Sequence, residues 1–165
     1  MSLTREPARI HVAEQAPELI RKLQELGHAV AKSGLVEPRL FYLVDIRASQ
    51  MNGCAFCLDM HVKEAKLAGE RELRLYHVAA WRDSTLFAPK ERAALAWTEA
   101  LTRMEPTGVS DELYAELREH FGEKELAALT FRVMGINAWN RLNVAFRTVP
   151  GSLDKPLGLD KAGLA

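Results

Sequence analysis

Apolar residues recur along most of the chain at steps of three and four, the period of an amphipathic α-helix. Proline at a first turn and glycine beyond a last turn mark several of the boundaries. No segment shows the sustained period-two alternation of a β-strand. The sequence therefore predicts an all-α fold, with helices over about 16–32, 38–50, 54–67, 70–80, from 89 to a stop at 104–106, 111–120 and 123–146.

Length and composition indicate one ordinary globular domain. The chain has 165 residues, of which 48% are hydrophobic and 27% charged, too balanced for a disordered or fibrous protein. Helical periodicity stops near Pro150 and Gly151. We therefore assign residues 1–150 to a single helical domain and interpret 151–165 as a flexible or partner-docking C-terminal tail.

The charge balance bears on partners and location. Lysine plus arginine and aspartate plus glutamate each number 22, so the formal net charge is zero and no basic patch is evident. Neither nucleic acid nor an anionic membrane surface is expected as a partner. The first residues are charged and lack an apolar signal region, and no apolar run approaches the roughly 18 residues of a membrane span. We expect a cytoplasmic protein.

The chain holds two cysteines, Cys54 and Cys57, too few for a disulfide scaffold. In a reducing compartment such a Cys-x-x-Cys pair is more often catalytic or metal-binding than structural. Each residue of an α-helix advances about 100°, so Cys54, Cys57 and His61 fall within about 60° of one another. Cys57 and His61 also have the i, i+4 spacing at which side chains meet. One helical face thus presents two thiols and an imidazole.

These groups suit thiol redox chemistry. The thiolate is the nucleophilic form of cysteine, and a helix N-terminus lowers the pKa of a thiol while a histidine accepts its proton. A second thiol one turn away can attack the sulfenic acid of an oxidised first cysteine and close a disulfide. The spacing therefore favours a dithiol–disulfide centre.

The sequence around the pair does not fit the other common uses of Cys-x-x-Cys. A zinc site needs four ligands, and the other histidines are scattered singly. Covalent haem attachment needs histidine directly after the second cysteine, where Leu58 stands. A thioredoxin motif follows a β-strand, and none is predicted. We expect no metal and no cofactor; two buried structural cysteines remain an alternative.

The stretch Ile46-Arg-Ala-Ser-Gln-Met-Asn-Gly-Cys-Ala-Phe-Cys-Leu-Asp-Met-His61 resembles the signature of the AhpD-like alkylhydroperoxidase and carboxymuconolactone decarboxylase superfamily. Matches at 81–84, 89–95 and 136–142 extend the likeness from about residue 40 to 146. The resemblance implies an AhpD-like bundle of about six to seven helices that assembles as a trimer or hexamer.

The resemblance also implies roles for the motif. Cys57 would be the peroxidatic residue, Cys54 the proton donor and resolving thiol, and His61 part of a proton relay. Helix position alone favours Cys54 as the attacker, whereas the i, i+4 spacing to His61 favours Cys57. The substrate would be a hydroperoxide, and the disulfide would be reduced by a dithiol protein, lipoylated or thioredoxin-like.

One position departs from the family pattern. Peroxidase members carry glutamate twelve residues before the first cysteine, and Tyr42 stands there. Tyrosine, with an ordinary pKa near 10, is a poor base at neutral pH. Asp45, one turn later, could replace it, so Tyr42 and Asp45 are possible relay residues. The predicted function is a thiol-dependent, alkylhydroperoxidase-like antioxidant protein; the alternatives are a carboxymuconolactone decarboxylase-like lyase and a non-catalytic redox-switch module.

Overall fold

The computed structural model describes residues 8–164. Residues 1–7 of the predicted domain 1–150 and residue 165 of the predicted tail 151–165 lie outside the described residues. Residues 8–164 form α-helices and two short 3-10 segments, Val78–Ala80 and Leu159–Ala162, with no β-strand among them, which confirms the all-α prediction. None of the described helices is long and apolar enough to cross a membrane. The α-helices are α1 (Val12–Gln15), α2 (Pro17–Lys32), α3 (Pro38–Met51), α4 (Ala55–Leu67), α5 (Glu72–His77), α6 (Pro89–Arg103), α7 (Asp111–His120), α8 (Glu123–Phe146) and α9 (Asp154–Leu157).

Local signals in the sequence explain most helix boundaries. Helices α2, α3 and α6 each begin with proline, whose fixed φ suits a first helical position. Ser110 caps α7, its side-chain oxygen accepting the Leu113 N–H at 3.2 Å. The Glu125 carboxylate accepts the Gly122 N–H at 2.7 Å at the start of α8. The seven predicted helices therefore appear as α2 to α8.

Helix α3 lies at the centre of the fold, in contact with α4, α6 and α8. Its residues Leu43, Val44 and Ile46 have no exposed surface, and buried positions occur on all sides of the helix. A helix that is apolar on every side belongs in a protein interior. The site described below lies where α4 and α8 both pack against this central helix.

The C-terminal segment, expected from the sequence to be a flexible or partner-docking tail, lies against the helical domain. As far as it is described, it packs on α4, with Leu159 and Ala162 almost fully buried. The Lys63 ammonium lies 2.6 Å from the Asp154 carboxylate, and the Gly151 N–H donates to Asp59 at 3.0 Å. Its helical pieces are only four residues long, too short to show a period in the sequence.

Candidate active site

A tight turn delivers the cysteine pair to the start of α4. Helix α3 ends at Met51, and Gly53 follows with a φ of +65°, a left-handed conformation that glycine adopts without steric cost. Cys54 is then the N-cap of α4, and its sulfur accepts the N–H of Cys57 at 3.3 Å. The turn thus gives Cys54 the backbone donor that helix N-termini offer to anions.

The two thiols are free, buried and electrostatically unequal. Cys54 is 2% exposed and Cys57 1%. A hydrogen bond from the Cys57 thiol lowers the pKa of Cys54 to about 7; burial opposes this, while the Cys57 amide, Asn140 and the charge of His61 act with it. The same thiol–thiol bond, together with burial, raises the pKa of Cys57. Cys54 is therefore the more acidic thiol of the reduced pair and the first to lose its proton.

Asparagines of α8 hold the turn and the pair together. Asn143 Nδ2 lies 3.5 Å from the sulfur of Cys57. Asn140 donates to the hydroxyl of Ser49 at 3.0 Å and accepts from the side-chain amide of Asn52 at 2.9 Å. Asn52 also donates to Asn137 at 3.0 Å. These contacts link the end of α3, the turn and α8, and they fix the position of the turn that carries the cysteines.

His61 is held by two carboxylates. Its Nδ1 lies 2.7 Å from Oε2 of Glu64 and 3.7 Å from Oδ2 of Asp45. A carboxylate can only accept, so Nδ1 carries hydrogen and Nε2 is the nitrogen free to gain or lose a proton. Burial alone would lower the pKa of His61, but the charges of Asp45 and Glu64 outweigh it and raise that pKa. The imidazolium is thus favoured as a proton donor.

Asp45 is fully buried and shares its charge with Arg132. The Arg132 guanidinium donates to both carboxylate oxygens, with Nε 3.0 Å from Oδ1, and stacks over Phe41 at 5.0 Å. Glu64, at 2.7 Å, is the direct hydrogen-bond partner of His61, whereas Asp45, at 3.7 Å, acts on the ring through its charge. Asp45 fixes the ring from the side of α3.

Tyr42 lies near these charges without joining the hydrogen-bond network. Its hydroxyl makes no hydrogen bond to any residue between 8 and 164. Burial and the nearby Glu64 and Asp45 raise the pKa of Tyr42, with Arg132 opposing them. A tyrosine with a raised pKa stays protonated at neutral pH, so it is poorly suited to act as the base of the relay.

Two cavities reach the cysteine pair. The larger, about 610 Å³, is lined by Cys57, His61, Asp45 and Glu64 and by many apolar side chains, among them Ile20, Leu23, Leu26, Met60, Phe131 and Trp139. The smaller, about 320 Å³, is lined by Cys54 and by residues 143, 144 and 147–150, at and just beyond the end of α8. Within residues 8–164 no three histidine, cysteine, aspartate or glutamate side chains are arranged to hold a metal ion.

The structure therefore brings together Cys54, Cys57, His61 and Asp45 as the sequence suggested, but it connects them differently. No hydrogen bond joins Cys57 to His61 among the described residues; His61 acts on the pair through its charge. Sequence reasoning missed Glu64, which stands three residues after His61 and could have been found from helical spacing.

Arg132 and Asn143 were also missed. They lie 87 and 86 residues from their partners, Asp45 and Cys57. Nothing local in the sequence indicates that α8 packs beside these two positions.

A sequence model of the carboxymuconolactone decarboxylase family matches residues 17–100, just over half of the chain. The chain belongs to this family. The uncharacterised protein YdfG of Bacillus subtilis (strain 168) is 38% identical over 137 residues, covering 83% of this chain and 92% of YdfG. Membership of the AhpD-like and carboxymuconolactone decarboxylase superfamily, first indicated by residues 46–61, is thereby confirmed.

Solved structures share the fold. A protein of unknown function from Agrobacterium tumefaciens, provisionally named antioxidant defence protein AhpD, is 39% identical with a TM-score of 0.84, over 87% of this chain and 98% of that one. The debrominase Bmp8 is 19% identical with a TM-score of 0.75, over 90% and 79%. The second likeness concerns the fold alone.

Proposed function

We propose that this family member is a thiol-dependent peroxidase that reduces organic hydroperoxides through a Cys54–Cys57 dithiol–disulfide cycle. The observation that carries the proposal is the placement of two free, buried thiols at the N-terminus of α4, where the Cys54 sulfur accepts the Cys57 N–H at 3.3 Å. The likeness to the Agrobacterium protein provisionally assigned to antioxidant defence supports it.

In the first step Cys57 attacks, because its side chain lines the larger cavity and that of Cys54 does not. Its proton passes along the hydrogen bond to the Cys54 thiolate as its sulfur bonds to one peroxide oxygen. The O–O bond breaks, and the leaving alkoxide takes a proton from the His61 imidazolium. The hydroperoxide is reduced to an alcohol, and Cys57 is oxidised to a sulfenic acid.

In the second step Cys54 resolves the sulfenic acid. Its thiol proton passes to the now neutral His61, and the Cys54 sulfur attacks that of Cys57. The S–O bond breaks, and the leaving hydroxide takes the proton back from His61 and departs as water. One hydroperoxide and one proton are consumed for each disulfide formed, and Glu64 and Asp45 hold His61 in place throughout.

The cavity indicates the substrate class. Apolar side chains from α2, α4 and α8 make up much of its wall, and about 610 Å³ is ample for a hydroperoxide with an aryl or alkyl body. Such walls stabilise the apolar part of a substrate by removing it from water. We propose organic hydroperoxides as substrates in preference to hydrogen peroxide.

The cycle needs two electrons from outside to return the disulfide to the dithiol. We propose that a dithiol protein, lipoylated or thioredoxin-like, supplies them. We also propose that the chain works as a trimer or hexamer.

A turnover assay tests the proposed function. Purified protein is supplied with cumene hydroperoxide and dihydrolipoamide, beside Cys57→Ser, Cys54→Ser and the control Met134→Ser, an exposed position of α8 that lines neither cavity. We expect sustained turnover by the wild type and Met134→Ser and none by either cysteine variant. Unchanged turnover by Cys57→Ser would contradict the mechanism, and consumption of one equivalent followed by arrest would favour the redox switch.

A further inference from the structure

The two cysteines open onto different cavities. Cys57 lines the larger cavity and Cys54 the smaller one, and neither lines both. Phe56, Asn143 and Thr148 line both spaces and so form the partition between them. The larger cavity also holds His61, whereas the smaller holds none of the histidines and carboxylates of the relay. The smaller cavity therefore has no part in the proposed reduction of hydroperoxide.

We propose that this smaller cavity is the binding site of the reducing dithiol, and that the dithiol attacks the Cys54 sulfur of the oxidised pair. The proposal rests on the proposed function and extends it. Oxidant and reductant would reach the two sulfurs through separate openings.

The burial of Cys54 bears on which of the two proposed reductants fits. Because the residue is only 2% exposed, a thiol on a flexible arm reaches it more readily than a cysteine fixed on the surface of a folded protein, which favours the lipoylated reductant over the thioredoxin-like one. A dithiol on a slender alkyl arm can enter a space of about 320 Å³, whose walls include the apolar side chains of Ala55, Val144, Val149 and Pro150. The site thus suits a dithiolane-type arm, free or attached to a carrier.

The exchange balances in two steps. A thiolate of the arm attacks Cys54, a mixed disulfide forms, and the Cys54–Cys57 bond breaks with Cys57 leaving as a thiolate that takes a proton. Asn143 Nδ2, 3.5 Å from Cys57, donates to that leaving sulfur. The second thiol of the arm loses its proton to solvent and attacks the arm's own sulfur, which closes a cyclic disulfide and releases Cys54 as a thiolate. Two electrons pass from the dithiol to the pair.

The two exchanges differ in the sulfur that leaves. Thiol–disulfide exchange is faster when the leaving thiol has the lower pKa. Cys54, with a pKa of about 7 in the reduced pair, is the better leaving group and departs in the second exchange. Cys57, whose pKa is raised, departs in the first exchange, where the Asn143 amide at 3.5 Å stabilises it. The order of attack therefore rests on which cavity each cysteine lines.

Paired substitutions test the separation of the cavities. Val144→Phe adds bulk to the wall of the smaller cavity, and Gly135→Leu adds bulk to the wall of the larger one, where a Cβ meets no atom within 4 Å. Met134→Phe is the control because this exposed residue lines neither cavity. The protein is oxidised with diamide, and its re-reduction by dihydrolipoamide is followed by thiol alkylation and mass spectrometry. Oxidation of the reduced protein by cumene hydroperoxide is timed separately.

We expect Val144→Phe to slow re-reduction about tenfold, equivalent to about 1.4 kcal/mol of activation free energy, and to leave oxidation unchanged. Gly135→Leu should slow only oxidation, and Met134→Phe neither step. If Val144→Phe slows both steps or neither, the proposal is wrong. Re-reduction is measured without hydroperoxide. A protein that fails to consume hydroperoxide therefore still shows whether Val144→Phe slows re-reduction, and that failure contradicts only the proposed function.

Trapping provides a second test that requires no substitution. The oxidised protein is treated with a monothiol of the same alkyl arm, which cannot close a ring, and is then acid-quenched and alkylated. Both cysteines lie in the tryptic peptide spanning 48–63, so fragment ions show which one carries the arm. The proposal requires the arm on Cys54 and the alkyl label on Cys57, and the reverse pattern would overturn it. Repeating the kinetics with a lipoylated carrier domain separates a carried arm from a free one.

Discussion

Oε2 of Glu64 lies 2.7 Å from Nδ1 of His61, one helical turn along α4. The family pattern would place a glutamate at position 42, on α3, where this chain has tyrosine. The carboxylate next to the imidazole therefore comes from the helix of the histidine itself. Asp45, on α3 at 3.7 Å, supplies a second negative charge. His61 thus has two acidic neighbours although position 42 carries tyrosine.

Glu64→Gln is expected to lower both the pKa of His61 and the peroxidase rate, the latter by about tenfold. Glutamine preserves the hydrogen-bond acceptor but removes the charge that helps to raise the imidazole pKa. Tyr42→Phe is the matched comparison and should keep the rate within about twofold, because this hydroxyl bonds to no described residue. NMR titration of the imidazole and steady-state turnover are the measurements. An equal loss of peroxidase rate in the two variants would mean that Tyr42 takes part in the proton relay.

The reactivity of Cys54 should depend on the side chain at position 57. The pKa of Cys54 is about 7, so its alkylation rate in the wild type should rise as pH increases through that value. Cys57→Ala removes the side-chain donor and should move this rise toward the ordinary range near 8.5. Cys57→Ser retains a hydroxyl donor and should move it less. Thiolate absorbance recorded against pH gives the pKa of Cys54 in each variant. Identical curves for the two variants would refute a hydrogen bond from the Cys57 side chain as the cause of the lowered pKa.

Asp45→Asn is expected to destabilise the protein by about 3 kcal/mol, because it leaves Arg132 without its buried counter-charge. Arg132 is itself 21% exposed, which places the effect at the lower end of the range for buried ion pairs. Urea unfolding at neutral pH measures the change in the free energy of unfolding. Glu18→Gln, in an exposed pair with Arg21, should cost less than about 0.5 kcal/mol. Similar costs for the two variants would show that Asp45 is not a buried anchor.

The C-terminal segment should be released by loss of its ionic contact with α4. Asp154→Ala removes the partner lying 2.6 Å from Lys63 and should speed tryptic cleavage after Lys161. Asp160→Ala is the control, an exposed aspartate of the same segment with no ion pair among the described residues. Intact-mass analysis of a digestion time course measures the rate. Equal cleavage of the two variants would mean that the apolar contacts of Leu159 and Ala162 hold the segment without the ion pair.

Much of the fold could be predicted because its signals are local. Pro38 opens α3 and the Asn52-Gly53 turn closes it, and both are visible in the sequence. The four-residue helices α1 and α9 were not predicted because one turn cannot display a helical period. The packing of the segment after Pro150 depends on an ion pair with Lys63, a residue far away in the sequence.

The candidate site likewise has residues that the sequence predicts and residues that it does not. Cys54, Cys57 and His61 share one short stretch of α4, so spacing alone could place them on one face. The pairing of Asp45 with Arg132, and of Cys57 with Asn143, depends on how α8 packs against α3 and α4. Which thiol is the more acidic depends on the contact between the two thiols, on burial and on Asn140 of α8, none of which can be read from the local sequence.

We propose that Cys57 and Cys54 together convert one hydroperoxide into one disulfide. In a single-turnover reaction, reduced protein receives one equivalent of cumene hydroperoxide, and intact mass and peptide mapping report the products. We expect one Cys54–Cys57 disulfide per hydroperoxide consumed, and in Cys54→Ser a sulfenic acid on Cys57 that dimedone traps. Consumption of the hydroperoxide while both thiols stay free, or a dimedone adduct found elsewhere than Cys57, would contradict it.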